Sequence, residues 1–247
     1  LLYVLHTIQP ESVFHIPLFD GSYYEEIKKK ANKKFRIAFT TKSPVGTPVD
    51  EEAKQAIYKT VQWLEEQGYE VEEKSNNVDG IRLMENYYIM NNGEMAGMVD
   101  SIEKSLGRAI TANDMEIVSW VLTVAGKSVT AAEFTQSIAE WDLAAAQMAE
   151  FHKNYDLYLT PATANSAPKI GELTQNEKEI SELMKISELT KNEQLKLVYD
   201  MFEPSLTYTP FTQLANLTGQ PAISVPSSWG SIYGSKRKRA LVIQNCR

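Results

Sequence analysis

The sequence predicts an α/β fold, part of a mixed β-sheet covered by helices. Three observations predict it. Phe35-Arg-Ile-Ala-Phe39 and Tyr69-Glu-Val-Glu-Glu73 are β-rich runs separated by an amphipathic helical pattern, the signature of a parallel strand-helix-strand crossover. Residues 81–152 carry apolar residues mostly at three- and four-residue spacing, too long for strands. Residues 208–226 read as a helix, a Gly-Gln-Pro turn and a short β-branched strand.

In order along the chain, Leu1, Leu2, Leu5 and Ile8 approach helical spacing, and Pro10 ends that pattern. A loop follows, with Pro17 and the turn pair Asp20-Gly21. After the first strand, Thr47 or Asp50 can cap a helix whose first turn holds Glu51 and Glu52, where the helix dipole favours acids. Ala53, Ala56, Ile57, Thr60 and Leu64 form its expected core face, and Gly68 ends it. A helix over residues 81–105 is rich in Met and Tyr, which reads first as adaptable packing. Residues 105–127 read as a loop and a helix with Met115, Ile117, Val118 and Val121 as its apolar positions. Thr130 and Glu133 form a capping box for a helix running to about His152, with Phe134, Ile138, Trp141, Ala145 and Met148 as its expected buried stripe. Tyr155-Asp-Leu-Tyr-Leu-Thr-Pro161 reads as a strand entering a Pro-bounded loop. Residues 171–197 mix charges at helical spacing, which predicts an exposed helical lid or hairpin, in the main a solvated face. Leu214, Leu217 and Thr218 share one side of a short helix. Gly219 stands where a helix C-terminus wants a left-handed residue, and Pro221 forces an extended exit into Ala222-Ile-Ser-Val225, expected to be covered on both faces.

The last of these runs carries a resemblance. Asn216, Leu217, Gly219, Pro221 to Val225 and Pro226 match the N-L-x-G-x-P-A-I-S-V-P hallmark of the amidase signature family residue by residue. Val49, Glu52, Ala56, Gly68, Val71 and Glu72 resemble that family's crossover. Asp156, Thr160, Pro161, Ala167 and Pro168 resemble its D-x-x-x-T-P segment with the A-P that follows it. The match is loose at first and tight toward Pro226. Residues 1–226 are expected to be the C-terminal portion of one amidase-signature domain, and residues 227–247 an atypical tail that departs from the family pattern, of out-of-frame or otherwise non-native origin.

The resemblance implies hydrolysis of a C–N amide bond of a small molecule by a Ser nucleophile, a second Ser in a cis peptide and a Lys base. A lysine serves as base only where burial or neighbours lower its pKa, and backbone N–H groups of a Gly-rich turn hold the oxyanion. That Gly-Gly-Ser-Ser turn has no counterpart here, since the chain has twelve glycines and no two are adjacent. No catalytic residue is assigned: the triad is expected upstream of Leu1, the chain is expected to be a fragment, and the fragment alone is expected to be inactive. What it can supply is a cleft wall. Related amidases carry a Tyr-Tyr pair, here Tyr87 and Tyr88, of which Tyr88 is the candidate. They also contact substrate from the region of Tyr208, Thr209, Phe211 and Thr212, expected to lie in a loop before the turn.

Composition limits the alternatives. A net charge of -7 and a pI near 5.2 argue against nucleic acid as the main partner, despite the basic run from Lys236 to Arg239. A single cysteine, Cys246, fits a reducing cytoplasm. No apolar run is long enough to span a bilayer. His6, His15 and His152 make no H-E-x-x-H, so no metal is expected, and without a nucleotide-binding Gly motif no cofactor is expected. The expected partners are a small amide substrate and either the missing N-terminal half or a second copy. The competing reading is a degenerate, non-catalytic binding or interaction module; a small-molecule-binding β-α-β domain rests on the crossover alone.

Overall fold

The computed structural model describes residues 20–29, 34–232 and 235–244. The helix read over residues 1–8 lies outside them. The chain divides into two units, residues 1–34 and 35–247. In the first, Ser22 caps a one-turn helix, α1 (Tyr23–Glu26), which begins at the end of the segment expected to be loop, and the side chain of Ser22 accepts the Glu25 N–H.

The second unit is built on a five-stranded sheet in the order β2-β1-β3-β5-β4. The expected crossover forms as β1 (Arg36–Phe39), α2 (Glu51–Glu66) and β2 (Glu70–Glu73), with β1 and β2 parallel and Ile37 opposite Val71. Asp50 occupies the N-cap of α2, yet its side chain makes no capping bond. Ala56 and Ile57 of the expected α2 face are buried and Leu64 packs beside them, with Val61 buried in addition. β3 (Leu157–Pro161) lies parallel on the other side of β1, Ala38 facing Tyr158. Asp156 fixes the approach to this pair: its backbone N–H donates to Arg36 O at 2.8 Å and its carboxylate accepts the Arg36 N–H at 2.9 Å.

The sheet is completed by a hairpin. β4 (Ala222–Ile232) and β5 (Ser235–Gln244) pair antiparallel with a register shift between Pro226 and Ser228, and β5 also pairs antiparallel with β3, Leu159 opposite Ile243. The sequence reading set residues 227–247 apart as an atypical tail and assigned no element there, whereas the strand continues past Pro226 and β5 follows it. Nor is the start of β4 covered on both faces as expected. It is the sheet's edge strand, with Ala222 and Ser224 exposed and Ile223 58% exposed.

Helices cover one face of β1 and β3 in a layer of their own. α3 (Gly80–Leu106) starts at Asp79, whose carboxylate accepts the Arg82 N–H, and packs against α4 (Ile117–Gly126) and α5 (Ala131–Phe151). A 3-10 turn, Ala112–Asp114, separates α3 from α4. At the α3–α4 crossing a Cβ on Gly126 would stand 1.9 Å from the Asn92 carbonyl oxygen, so only glycine allows that approach. The Thr130–Glu133 capping box opens α5 as read. Its inward stripe is Phe134, Ser137, Trp141, Ala144 and Met148, and Ile138 is exposed instead. Spacing of three and four residues fits either stripe; contact with α3, where Tyr87 stacks on Trp141 and Phe134 closes on Gly93, selects this one.

The charged segment is anchored rather than a loose lid. α6 (Glu177–Leu183), a 3-10 turn (Met184–Glu188) and α7 (Lys191–Tyr208) insert Leu183, Ile186 and Val198 into the cluster around Met84, Tyr88 and Val121. Ile186 and Val198 are fully buried, so the charges coat the outside of a docked hairpin. Lys191 reaches Glu133 and joins the start of α7 to the start of α5. α8 (Gln213–Thr218) ends at Gly219 with φ +73°, the left-handed cap read in the sequence. Among the described residues no single helix is long and apolar enough to cross a membrane; α4 with α5 passes by length and composition but is bent by 109°.

Candidate functional site

α3, α7 and α8 converge on an open cleft of about 320 Å³. Its floor is aromatic because helical spacing places Tyr88 beside Phe202 and Tyr199. The Tyr88 ring stacks on Phe202 with centroids 5.1 Å apart and meets Tyr199 edge-on at 5.8 Å. Burial, then the neighbouring Tyr199 and Tyr87, push the Tyr88 hydroxyl well above the ordinary tyrosine value. It is therefore a neutral hydrogen-bond donor at any physiological pH.

The rim is polar. Thr209, Thr212, Gln213 and Asn216 come from the α7–α8 connection, and Asn91 comes from α3. Thr209 is the C-cap of α7 and its hydroxyl donates to Ser205 O at 3.2 Å. Ser205 itself donates to Phe202 O. No Lys or His lines the cleft among the described residues, so Ser205 has no base beside it. The cleft can recognise a neutral group with an apolar body and amide or hydroxyl ends; by itself it offers no nucleophile.

Of the five residues expected from the sequence, the structure brings Tyr88, Thr209 and Thr212 to this cleft. Phe211 is 3% exposed and turns to a second, smaller pocket. Tyr208 is the last residue of α7 rather than part of a loop, and its hydroxyl donates to Glu172 at 2.5 Å. That bond raises the Tyr208 pKa and, with the Lys169 N–H, holds the Glu172 carboxyl below its ordinary value. The same end of α7 carries the loop after β3: Ala164 N–H donates to Tyr208 O and Asn165 Nδ2 to Thr207 O. Tyr208 thus ties down residues 162–172. Asn91 and Gln213 were missed by the sequence reading. Asn91 has no signal beyond its place one turn after Tyr87 and Tyr88, whereas Asn216 was visible within the hallmark itself. Among the described residues no group of three His, Cys, Asp or Glu is placed to hold a metal.

Comparison with known proteins gives this geometry a context. The family model described as Amidase matches residues 15–231. A lipoamidase from Enterococcus faecalis is 43% identical over 209 residues, which is 84% of this chain and 28% of that protein. A 6-aminohexanoate-cyclic-dimer hydrolase from Pseudomonas sp. (strain NK87) is 25% identical over 94% of this chain and 45% of its own length. Among solved structures, a 6-aminohexanoate cyclic dimer hydrolase complexed with substrate superposes with a TM-score of 0.71 at 21% identity, over 97% of this chain and 47% of that one. A bacterial aryl acylamidase of the amidase signature family superposes at 0.60 and 17% identity, over 87% of this chain and 40% of that one. The chain thus spans less than half the length of these relatives. With residues 15–231 inside the family match and the same fold in these solved structures, the chain belongs to the amidase signature family.

Proposed function

We propose that this chain builds one wall of the substrate cleft of an amidase that hydrolyses the C–N amide bond of a small molecule. The observation that carries the reading is the cleft at α3, α7 and α8: an aromatic floor with a rim of hydroxyls and amides, suited to an apolar chain bearing an amide, and containing no nucleophile–base pair. In this reading the Ser-Ser-Lys segment is contributed from outside these residues. The nucleophilic Ser attacks the amide carbonyl, its proton passes through the second Ser to Lys, the amine leaves with a proton, and water frees the acid from the acyl-enzyme. Asn91, Thr209 and Asn216 hold the amide neighbourhood while Tyr88 and Phe202 pack the apolar part. Similarity to the lipoamidase supports lipoamide as the first substrate to try, and similarity to the cyclic-dimer hydrolases supports the cyclic 6-aminohexanoate dimer as the second. A cytoplasmic location, on the strength of the single cysteine, belongs to the same reading, as does association with the catalytic half.

The test is an amide hydrolysis assay on the 247-residue chain alone and on the whole protein that includes the family's catalytic segment. Turnover by the whole protein and none by the chain is the expected result. Turnover by the chain alone sinks the assignment of chemistry to another segment. Binding of amides with no turnover in either case favours the second reading, a non-catalytic binding module, which the missing nucleophile–base pair supports.

A further inference from the structure

The second pocket lies where β1 and β3 end, and it differs in kind from the first. Ala38 and Tyr158 face each other across the parallel pair, and their side of the sheet meets Leu83, Met148 and Leu214 in an apolar cluster. Two residues further on, the same side presents Thr40 and Thr160, 3% and 2% exposed. A pocket of about 100 Å³ opens there, walled also by Lys42, Ser75 and Asn76 and backed by Phe211.

The hydrogen-bond inventory is lopsided. Thr40 and Ser75 share one hydrogen bond at 3.0 Å, the Thr40 oxygen also accepts the Lys42 N–H, and Asn76 donates to the Tyr158 oxygen at 3.3 Å while its own oxygen accepts the Val78 N–H. The Tyr158 O–H proton is left over. Burial lifts the Tyr158 hydroxyl to about 12, which keeps it a donor. Thr160 Oγ1 is buried without any partner. Lys42 is exposed at the mouth and makes no ion pair among the described residues. No acidic side chain is among the described residues that line the pocket. The Lys42 ammonium, the Tyr158 O–H and the Thr160 hydroxyl thus belong to residues that line a space with room for a few water-sized atoms and no carboxylate on its walls. Buried polar atoms are rarely left unpartnered, so the pocket is built for something that accepts.

We infer that the pocket at the ends of β1 and β3 is a binding subsite for a carboxylate, held by Lys42, the Tyr158 hydroxyl and the Thr160 hydroxyl. Two oxygens with about four lone pairs match these donors, and charge-assisted bonds of this kind are the strong ones. A phosphate has the same sign but a bulkier tetrahedral shape for a pocket of this size. The carboxylate has two chemical sources, a free small acid or the acidic end of an amide substrate or product. The second source rests on the proposed amidase function; the first does not.

The experiment is a titration of the whole protein with 13C-labelled acetate, followed by NMR, with ethylammonium and inorganic phosphate as controls and with Lys42→Met and Thr160→Val as variants. Lys42 is exposed and Thr160→Val keeps the side-chain shape, so neither change threatens the fold. The expected result is saturable acetate binding, at least roughly tenfold weaker in either variant, as loss of a hydrogen bond to a charged group implies, with no saturable binding of ethylammonium. Absence of saturable acetate binding overturns the inference, and so does binding that both variants leave intact or phosphate that binds more tightly than acetate. Because binding is read without turnover, failure here is separate from failure of the amidase assignment. Amide substrates with and without a terminal carboxylate then separate the sources: a KM raised by Lys42→Met for the acidic amide alone assigns the subsite to substrate, whereas acetate binding with KM unchanged for both assigns it to a free acid.

Discussion

The two faces of the β1–β3 pair begin alike and end differently. On one, Ile37, Phe39 and Leu159 lie under Ala56, Ile57 and Val61 of α2, and the next positions, Thr41 and Pro161, are also buried, Thr41 against the Tyr58 hydroxyl of α2. On the other, Ala38 and Tyr158 are packed under α3, α5 and α8, and the next residues in the alternation are threonines. Alternation along a strand makes this division inevitable in form, since neighbours point to opposite faces. What it does not dictate is chemistry. One face spends its last position on packing, and the other gives it to hydroxyls beside a pocket. The lesson is that a buried residue in a core strand can serve stability or recognition, and its neighbour one position away can serve the other.

Leu159→Ala is the sharpest way to test the first face. It removes a side chain 2% exposed, and a loss of about 2–5 kcal/mol is expected in chemical denaturation. Gly126→Ala probes the helix layer over the second face. Its Cβ would meet the Asn92 carbonyl oxygen at 1.9 Å, so α3 and α4 must separate, at a cost of about 1–3 kcal/mol. A neutral result would show that this crossing is looser than the backbone implies.

The Lys191–Glu133 clip should matter less and should depend on pH. Lys191 first, then the Thr130 N–H and hydroxyl, pull the Glu133 carboxyl down from 4.5 to about 2. A depressed acid stabilises the fold above its unfolded pKa, and that contribution disappears as pH falls through the folded value. Glu133→Gln should therefore cost less than about 1 kcal/mol near neutral pH, chiefly through the lost charge opposite Lys191, because Gln can still complete the capping box. Melting curves from pH 7 to pH 2.5 should show the gap between the two proteins closing as pH falls below about 4.5, where the unfolded chain takes up the proton that the folded carboxyl still refuses. A gap that widens in acid would contradict the assignment. Thr160→Val should change stability by less than about 1 kcal/mol in either direction, because no partner loses a bond, while it weakens acetate binding. A loss as large as that of Leu159→Ala would erase the contrast between the faces. Tyr208→Phe is the smallest change, within about 0.5 kcal/mol as a surface substitution. Its readout is faster proteolysis in residues 162–172 once the bond to Glu172 is gone.

Much of this was legible in the sequence where the signal is local. The crossover from Arg36 to Glu73, the capping box at Thr130 and Glu133 and the left-handed Gly219 each depend on a few neighbouring residues. Ile138 was misplaced because two helical stripes fit one spacing and only α3 decides between them. Ile186 and Val198 were hidden among charges, since one buried residue per turn is enough to anchor a short helix that is polar everywhere else. The recognition pocket was the least legible feature. Thr40, Ser75 and Thr160 are spread over 120 positions and meet only because β1, β2 and β3 pair. Nothing near any one of them in the sequence marks it.

The strand order has a consequence for how the chain assembles. β1 lies between β2 and β3 and pairs with both, so the three can zip together as soon as Pro161 is available. β4 cannot join them then, because β5 stands between it and β3. The hallmark strand must wait for residues synthesised after it and then enter the sheet as half of a hairpin. Such late, long-range pairing is slow. A growing polypeptide would carry an unattached Ala222–Ile232 through that interval, with Ile223 and Val225 bare, and a chaperone that binds short apolar extended segments would find its target there.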